Sequence, residues 1–307
     1  MRPLGRLLNA GAVLALALLV MVSPATALAQ QPPQLPQSVA ELTRLRDDVY
    51  AFRYLNYVSL FVPTDEGVVV VDPIGGGGNP QAPVALKGAI ASITPQPVKW
   101  LIYSHAAADH STGGAVFADT ATFVSHANAR PALEARADPT TPVPTVTFEQ
   151  MMPIDAGGKH FELHWTGLTP QSDYLIFSYP AQKVIMTVDQ ARVKTIAFGN
   201  IGAASPSRYV EWLDSVDQQF DFETYLSGHG PVAANSWGTR QDFRDHRQYY
   251  VDLMKAVEDA RAAGHADNSE AMVAAVREAL APKYGSWVSF QSGLAANVEG
   301  VVRWSGM

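Results

Sequence analysis

Tyr103-Ser104-His105-Ala106-Ala107-Ala108-Asp109-His110-Ser111-Thr112-Gly113-Gly114 is the stretch on which the reading of this chain turns. It follows the apolar residues 98–103, which read as a strand that delivers its last side chains to Ser104 and His105. Ends of strands that alternate with helices are where functional side chains collect. One histidine alone is usually a hydrogen-bonded polar residue. Two of them with an aspartate on one strand-end loop point instead to metal ligation or acid–base chemistry.

Upstream, residues 68–71 are all valine, the pattern of a strand buried on both faces, and they run into Asp72-Pro73 and then the glycines 75–78. The glycine run lacks the Lys-Ser/Thr of a phosphate loop and reads as a flexible turn at the edge of a site. A helix over residues 83–93 leads back to the strand at 98. Before these, residues 49–53 and 57–63 form a meander closed by the turn Thr64-Asp65-Glu66-Gly67. Downstream, strands near 122–125, 161–165, 174–179 and 184–188 repeat the plan around a proline-rich loop at 138–144. Two halves of similar plan predict an α/β fold of the αββα sandwich type rather than a doubly wound sheet. Helices are predicted over 240–263 and 269–280, the second capped by Ser269 with Glu270 in its first turn. The expected division is a catalytic-type domain over 39–240 and a C-terminal helical extension over 241–307.

Residues 1–29 carry Arg2 and Arg6, an apolar run over 10–22 and the triplet Ala27-Leu28-Ala29, the layout of a signal peptide cleaved after Ala29. The run is shorter than the ~20 residues a spanning helix needs, which disfavours an uncleaved anchor. Residues 30–38, rich in proline and glutamine, read as a linker. The expected location is the periplasm or the medium. Losing Arg2 and Arg6 leaves 20 basic against 29 acidic residues, a balance that argues against nucleic acid or an anionic membrane and for a small-molecule substrate. There is no cysteine, so any metal must be held by His, Asp or Glu.

The motif loop resembles the H-x-H-x-D-H sequence, followed by two glycines, of the metallo-β-lactamase superfamily, with Ala107 in place of its middle histidine. Gly167-Leu168-Thr169-Pro170 resembles the family's glycine-histidine-threonine-proline turn with Leu168 for histidine; an alternative alignment puts Gln171 at that ligand position. Asp189 resembles the family's bridging aspartate, and Gly228-His229-Gly230 its late glycine-histidine pair. Asn56-Tyr57, Pro282-Lys283-Tyr284, Trp287 and Asn297-Val298-Glu299 extend the likeness to an exported subgroup.

What the resemblance implies is uneven damage. Of the first metal site only His105 is left, because Ala107 and Leu168 fill the other two positions. The second site keeps Asp109, His110, Asp189 and His229, a set suited to one Zn2+ and by hardness also to Fe2+ or Mn2+. Asp72 falls where the family keeps an aspartate that supports the ligands from behind. The implied activity is hydrolysis of a small carbonyl substrate, a lactone, lactam or ester, by a single metal-activated water. His105 is the expected general base, with an ordinary pKa, and Asp109 stands beside it as the other residue on which catalysis rests. Two alternatives stay open: an inactive relative that binds a ligand or a metal in the periplasm, and an envelope interaction protein that keeps only the scaffold. His126, His160, His164, His246 and His265 match no ligand position. Specificity is expected from loops at 75–80, 138–144 and 191–207.

Overall fold

Val68 and Val70 pack on one side of their strand and Val69 and Val71 on the other, which is why four consecutive valines are all fully buried. Strands with two covered faces need covering layers, and the chain supplies them. The computed structural model describes residues 39–167, 172–199, 201, 204–230 and 236–305. The expected signal peptide and linker (1–38), Leu168 and Gln171 lie outside the described residues.

The first sheet holds seven strands in chain order: β1 (Ala40–Arg44), β2 (Tyr50–Tyr54), β3 (Tyr57–Thr64), β4 (Gly67–Val71), β5 (Val98–Ile102), β6 (Thr122–His126) and β7 (Val146–Phe148). The first four are antiparallel and the last four run parallel. The parallel part has its crossovers through helix α1 (Ala82–Ile93), the one-turn helix α2 (Ala108–Ser111) and α3 (Arg130–Arg136). The second sheet has the order β13-β12-β11-β10-β9-β8. Its strands are β8 (Met151–Ala156), β9 (Lys159–Trp165), β10 (Leu175–Tyr179), β11 (Val184–Met186), β12 (Thr224–Leu226) and β13 (Trp237–Thr239). Only β11 and β12 pair parallel there, and α4 (Pro206–Gln219) connects them. Helices α5 (Arg240–Ala262), α6 (Glu270–Tyr284) and α7 (Phe290–Ser305) follow.

The two sheets face each other across a core that includes Leu60, Val69 and Val71 on one side and Phe161, Leu163, Phe177 and Met186 on the other. The outer face of the first sheet is covered by Leu86 and Ile90 of α1 and Leu133 of α3. That of the second sheet is covered by α4 to α7, whose Trp212, Phe243, Leu253, Leu294 and Val298 share one core with Ile176, Ile185 and Tyr225 of the strands. The architecture is the αββα sandwich expected, and the C-terminal helices pack into the sandwich's own core. Burying side chains of this size contributes roughly 1.5–3 kcal/mol each, which is what holds the layers together.

Local signals set the helix starts. Thr239 and Asp242 form a capping box at α5, Ser269 caps α6 through Met272 N, and Ser205 caps α4 through Arg208 N. Helix α6 runs past the expected end at 280 and through Pro282 to Tyr284. Tyr284 holds this last turn, donating its hydroxyl to Asp252 Oδ2 of α5 at 2.6 Å. Buried Asn297 of α7 accepts from Tyr249 OH at 2.6 Å and donates to Ala197 O at 3.1 Å, tying the helices to the segment that follows β11. Among the described residues no helix is long and apolar enough to cross a membrane.

Candidate metal centre

Asp72 ends β4 with φ 62°, a left-handed conformation that aspartate tolerates better than most side chains. The bend turns its carboxylate toward the neighbouring strand end. Oδ1 accepts from Ser104 N at 2.8 Å, and Oδ2 accepts from Ser104 Oγ at 2.7 Å and from His110 Nδ1 at 3.2 Å. All of these groups are buried. Because Ser104 spends its single proton on Asp72, its Oγ can only accept from His105 Nδ1, 2.9 Å away. His105 therefore carries its proton on Nδ1 and leaves a lone pair on Nε2. Asp72 fixes His110 the same way, directly. One buried carboxylate thus orients both motif histidines, His110 directly and His105 through Ser104.

The motif loop is clamped from three further sides. Arg136 of α3 donates to Ala106 O at 2.8 Å and to Ser111 Oγ at 2.7 Å, and Asp173 Oδ2 accepts from Ala106 N at 2.8 Å. On the third side the glycines after β4 lie against α2: Ile74 N donates to His110 O at 3.0 Å and Gly75 N to Thr112 O at 2.8 Å. A Cβ on Gly75 would sit 2.6 Å from Thr112 O, and one on Gly76 would strike Ala108 O and come within 2.6 Å of Asp109 Cα. The run read as a flexible turn is thus, in its first half, a close backbone approach that only glycine permits. Gly76→Ala is expected to push α2 away, costing about 1–3 kcal/mol and weakening metal binding, whereas Gly88→Ala on the open face of α1 is neutral or stabilising. Urea unfolding of both variants checks this.

Asp189 and His229 arrive from the second sheet, three residues past the ends of β11 and β12, which run parallel and so deliver them side by side. Asp189 also has positive φ, 66°, and its N donates to Ser227 O at 3.0 Å. The His229 turn is pinned to β3 by Val58 N donating to Gly228 O at 2.8 Å and Gly230 N to Asn56 O at 2.9 Å.

Four side chains converge. His110 Nε2 lies 2.8 Å from His229 Nε2, 3.4 Å from Asp189 Oδ1 and 3.6 Å from Asp109 Oδ2. His229 Nε2 lies 2.9 Å from Asp189 Oδ1 and 3.4 Å from Asp109 Oδ2. Ligands about 2.0–2.1 Å from a zinc ion at tetrahedral angles are roughly 3.3 Å apart. Three of these five separations, 3.4–3.6 Å, lie near that edge length and two, 2.8 and 2.9 Å, are at hydrogen-bond distance; the donor atoms of His110, Asp189 and His229 all lie within 4.8 Å of one another, close enough for these residues to hold a metal ion. His105 is part of the same cluster. Its Nε2 is buried without a hydrogen-bond partner and lies 3.4 Å from Asp189 Oδ2, so the two oxygens of Asp189 face different imidazoles. The candidate donor atoms of His105, Asp109 and His110 lie within 4.8 Å of one another. Ala107 contributes only a methyl group at the start of α2.

The electrostatics are those of a cation-binding pocket. Burial works against a charge on His110, but Asp189 and Asp72 outweigh it and hold its pKa well above the usual value. Burial would likewise raise Asp189, yet His110 and His229 keep it well below the carboxylate range. Burial also opposes ionisation of Asp109, but the hydrogen bond to His229 and the charges of His110 and His229 together outweigh it and lower its pKa. His105 goes the other way: burial, then the charge of His110, push its pKa down. The near-neutral value expected for it from sequence is therefore corrected, because the residue is fully enclosed, stacked on Tyr174 with ring centroids 4.0 Å apart. Ser104 and Tyr174, whose OH donates to Asp189 Oδ2 at 2.9 Å, were not singled out from sequence. The serine was visible inside the motif, but the tyrosine looked like one more core aromatic. His126, His160, His164 and His246 stand in hydrogen bonds or packing away from the cluster.

An αββα sandwich with a histidine–aspartate cluster at its strand ends defines the class of metallohydrolase-type folds. The metallo-β-lactamase superfamily profile matches residues 53–229, more than half of the 307, and the chain belongs to that superfamily. Among solved structures, a metallo-beta-lactamase from Pontibacter korlensis aligns at 20% identity and TM-score 0.57, covering 69% of this chain and 99% of its own. A double mutant of the sec-alkyl sulfatase PisA1 aligns at 14% identity and TM-score 0.65 over 88% of this chain. The stereoselective inverting sec-alkylsulfatase Pisa1 from Pseudomonas sp. aligns at 13% identity and TM-score 0.59 over 86%. This chain spans about half the length of either alkylsulfatase, 50% in each case. No curated protein matches the sequence.

Proposed function

We propose that the chain is an exported metal-dependent hydrolase that holds one ion, zinc before iron or manganese, between Asp109, His110, Asp189 and His229, and acts on a small lactone, lactam or ester. The observation that carries this reading is the spacing of the four donor atoms, 2.8–3.6 Å in the five pairs given above. Bound there, a metal supplies Lewis acidity toward a carbonyl and acidifies water. The protein's own part is orientation and proton handling. Asp72, bonded to Nδ1, keeps Nε2 of His110 turned toward the cluster. His105, with its proton fixed on Nδ1 by Ser104, offers Nε2 as the acceptor of a proton from the attacking water. Its lowered pKa keeps it unprotonated at neutral pH. Tyr174, donating to Asp189, restrains the carboxylate that lies between the two histidines.

Export rests on the Arg2/Arg6 start, the apolar run and the Ala27-Leu28-Ala29 triplet, and the acidic balance of the chain favours a small molecule as partner. A second reading, a protein that binds ligand or metal without turnover, is favoured by Ala107, which removes an imidazole from the motif. Zinc-loaded protein assayed on a panel of lactones, β-lactams and aryl esters separates the two. The hydrolase reading expects turnover that Asp109→Ala reduces at least 100-fold; turnover indifferent to that change, or none on any member of the panel, contradicts it.

A further inference from the structure

Tyr57 opens β3 and is half-buried, held against the cluster in three ways. Its backbone bridges to His229, flanked by Val58 N donating to Gly228 O and Gly230 N donating to Asn56 O. Its ring packs on that of His229, centroids 4.9 Å apart, and meets His110 edge-on at 6.0 Å. Its hydroxyl rests in a notch at Gly77, whose φ is 61°: a Cβ there would strike Oη and come within 2.9 Å of Cζ. Among the described residues none is hydrogen-bonded to this hydroxyl, and it is not sealed from solvent. Burial, then the charges of Asp109 and Asp189, push its pKa up, so at neutral pH it keeps its proton and can donate.

A tyrosine hydroxyl in a packed site normally finds a partner. Here backbone, ring and glycine notch fix a donor beside the metal ligands, and no described residue serves as its acceptor. His105 reaches the cluster through Asp189 Oδ2, whereas Tyr57 stands on the side of His229, which meets Oδ1. We propose that Tyr57 donates a hydrogen bond to the substrate's carbonyl oxygen as that oxygen becomes negative. This rests on the cluster being a hydrolytic site. In the addition step the attacking water gives one proton to His105 Nε2 while its oxygen bonds to the carbonyl carbon. The π pair of the carbonyl moves onto its oxygen, and Tyr57 donates to that oxygen without losing its own proton. When the C–O bond breaks, the leaving oxygen takes the proton from His105, and nothing is oxidised or reduced. A donor fixed in advance where charge develops acts more strongly on the transition state than on the ground state.

The test reads binding first and turnover second. Phenyl methylphosphonate, an unhydrolysed anion with the tetrahedral oxygens of the addition intermediate of phenyl acetate, is titrated by calorimetry into zinc-loaded wild type, Tyr57→Phe and Gly77→Ala. Tyr57→Phe keeps the ring and its packing on His229, so its melting temperature and zinc affinity should stay near wild type. Its binding of the phosphonate is expected to weaken about tenfold, the size of one hydrogen bond to a charged group. Gly77→Ala, whose methyl takes the place of the hydroxyl, should weaken it by a similar factor. On the same preparations kcat for phenyl acetate should fall about 100-fold in Tyr57→Phe with KM little changed, the range for loss of one such donor. Phosphonate binding that both variants keep assigns the anion to the metal alone and overturns the proposal. So does a loss of phosphonate binding matched by an equal loss of zinc affinity, no phosphonate binding by the wild type, or turnover that Tyr57→Phe leaves unchanged. No turnover of phenyl acetate by the wild type, with the loss of phosphonate binding in Tyr57→Phe intact, counts against the hydrolase reading and leaves the contact between Tyr57 and the anion standing.

Discussion

Asp72→Ala is expected to destabilise the metal-free protein by about 3–5 kcal/mol, the cost of removing one member of a buried hydrogen-bonded charge pair. The carboxylate is wholly enclosed and its oxygens serve Ser104 N, Ser104 Oγ and His110 Nδ1. Without it His110 loses a partner that raises its pKa, and Ser104 loses the acceptor that forces His105 into one tautomer. Asp72→Asn separates the folding and binding effects. An amide keeps the volume and can still accept from Ser104 N, but its NH2 cannot accept from His110. Stability should fall less, while zinc affinity drops about 10–100-fold, the range for groups that orient metal ligands. Urea unfolding with and without metal measures the first effect and competition with a chromophoric chelator the second. A D72N protein that binds zinc as tightly as wild type would show that Asp72 serves the fold alone.

His110→Ala should have the largest effect on metal binding. This imidazole lies within 3.6 Å of donor atoms from Asp109, Asp189 and His229, so its removal opens the centre of the cluster. Zinc affinity is expected to fall by more than ~100-fold, beyond the range for groups that only support a ligand. The same change leaves the Asp72 and Asp189 carboxylates without the cation between them, so the metal-free variant should also unfold at lower urea. His164→Ala, on a part-exposed residue whose partner is Glu162, is the control and should leave zinc affinity unchanged.

Much of the fold was legible because its signals are local. Four consecutive valines, the motif glycines and the Ser269 cap each state their environment within a few residues. The strands β1, β7, β8, β12 and β13 and the helices α3, α4 and α7 were not anticipated; the three-residue strands among them carry too little periodicity to register. Within the site, Asp109, His110, Asp189 and His229 could be named because each sits in a recognisable turn at a strand end. What sequence could not convey was distance. That Gly76 lies against Asp109, that Tyr174 stacks on His105, and that Asp189 faces His105 with one oxygen and His110 and His229 with the other are products of two sheets meeting. For the same reason His105 looked like a free residue of ordinary pKa, when enclosure makes it a neutral member of the cluster.

The central claim is that one metal ion is held by the four converging side chains. Elemental analysis of protein purified without added metal, then saturated with zinc and desalted, tests it most directly. The account predicts close to one equivalent per chain, lost in His110→Ala; two equivalents, or none after saturation, would contradict it.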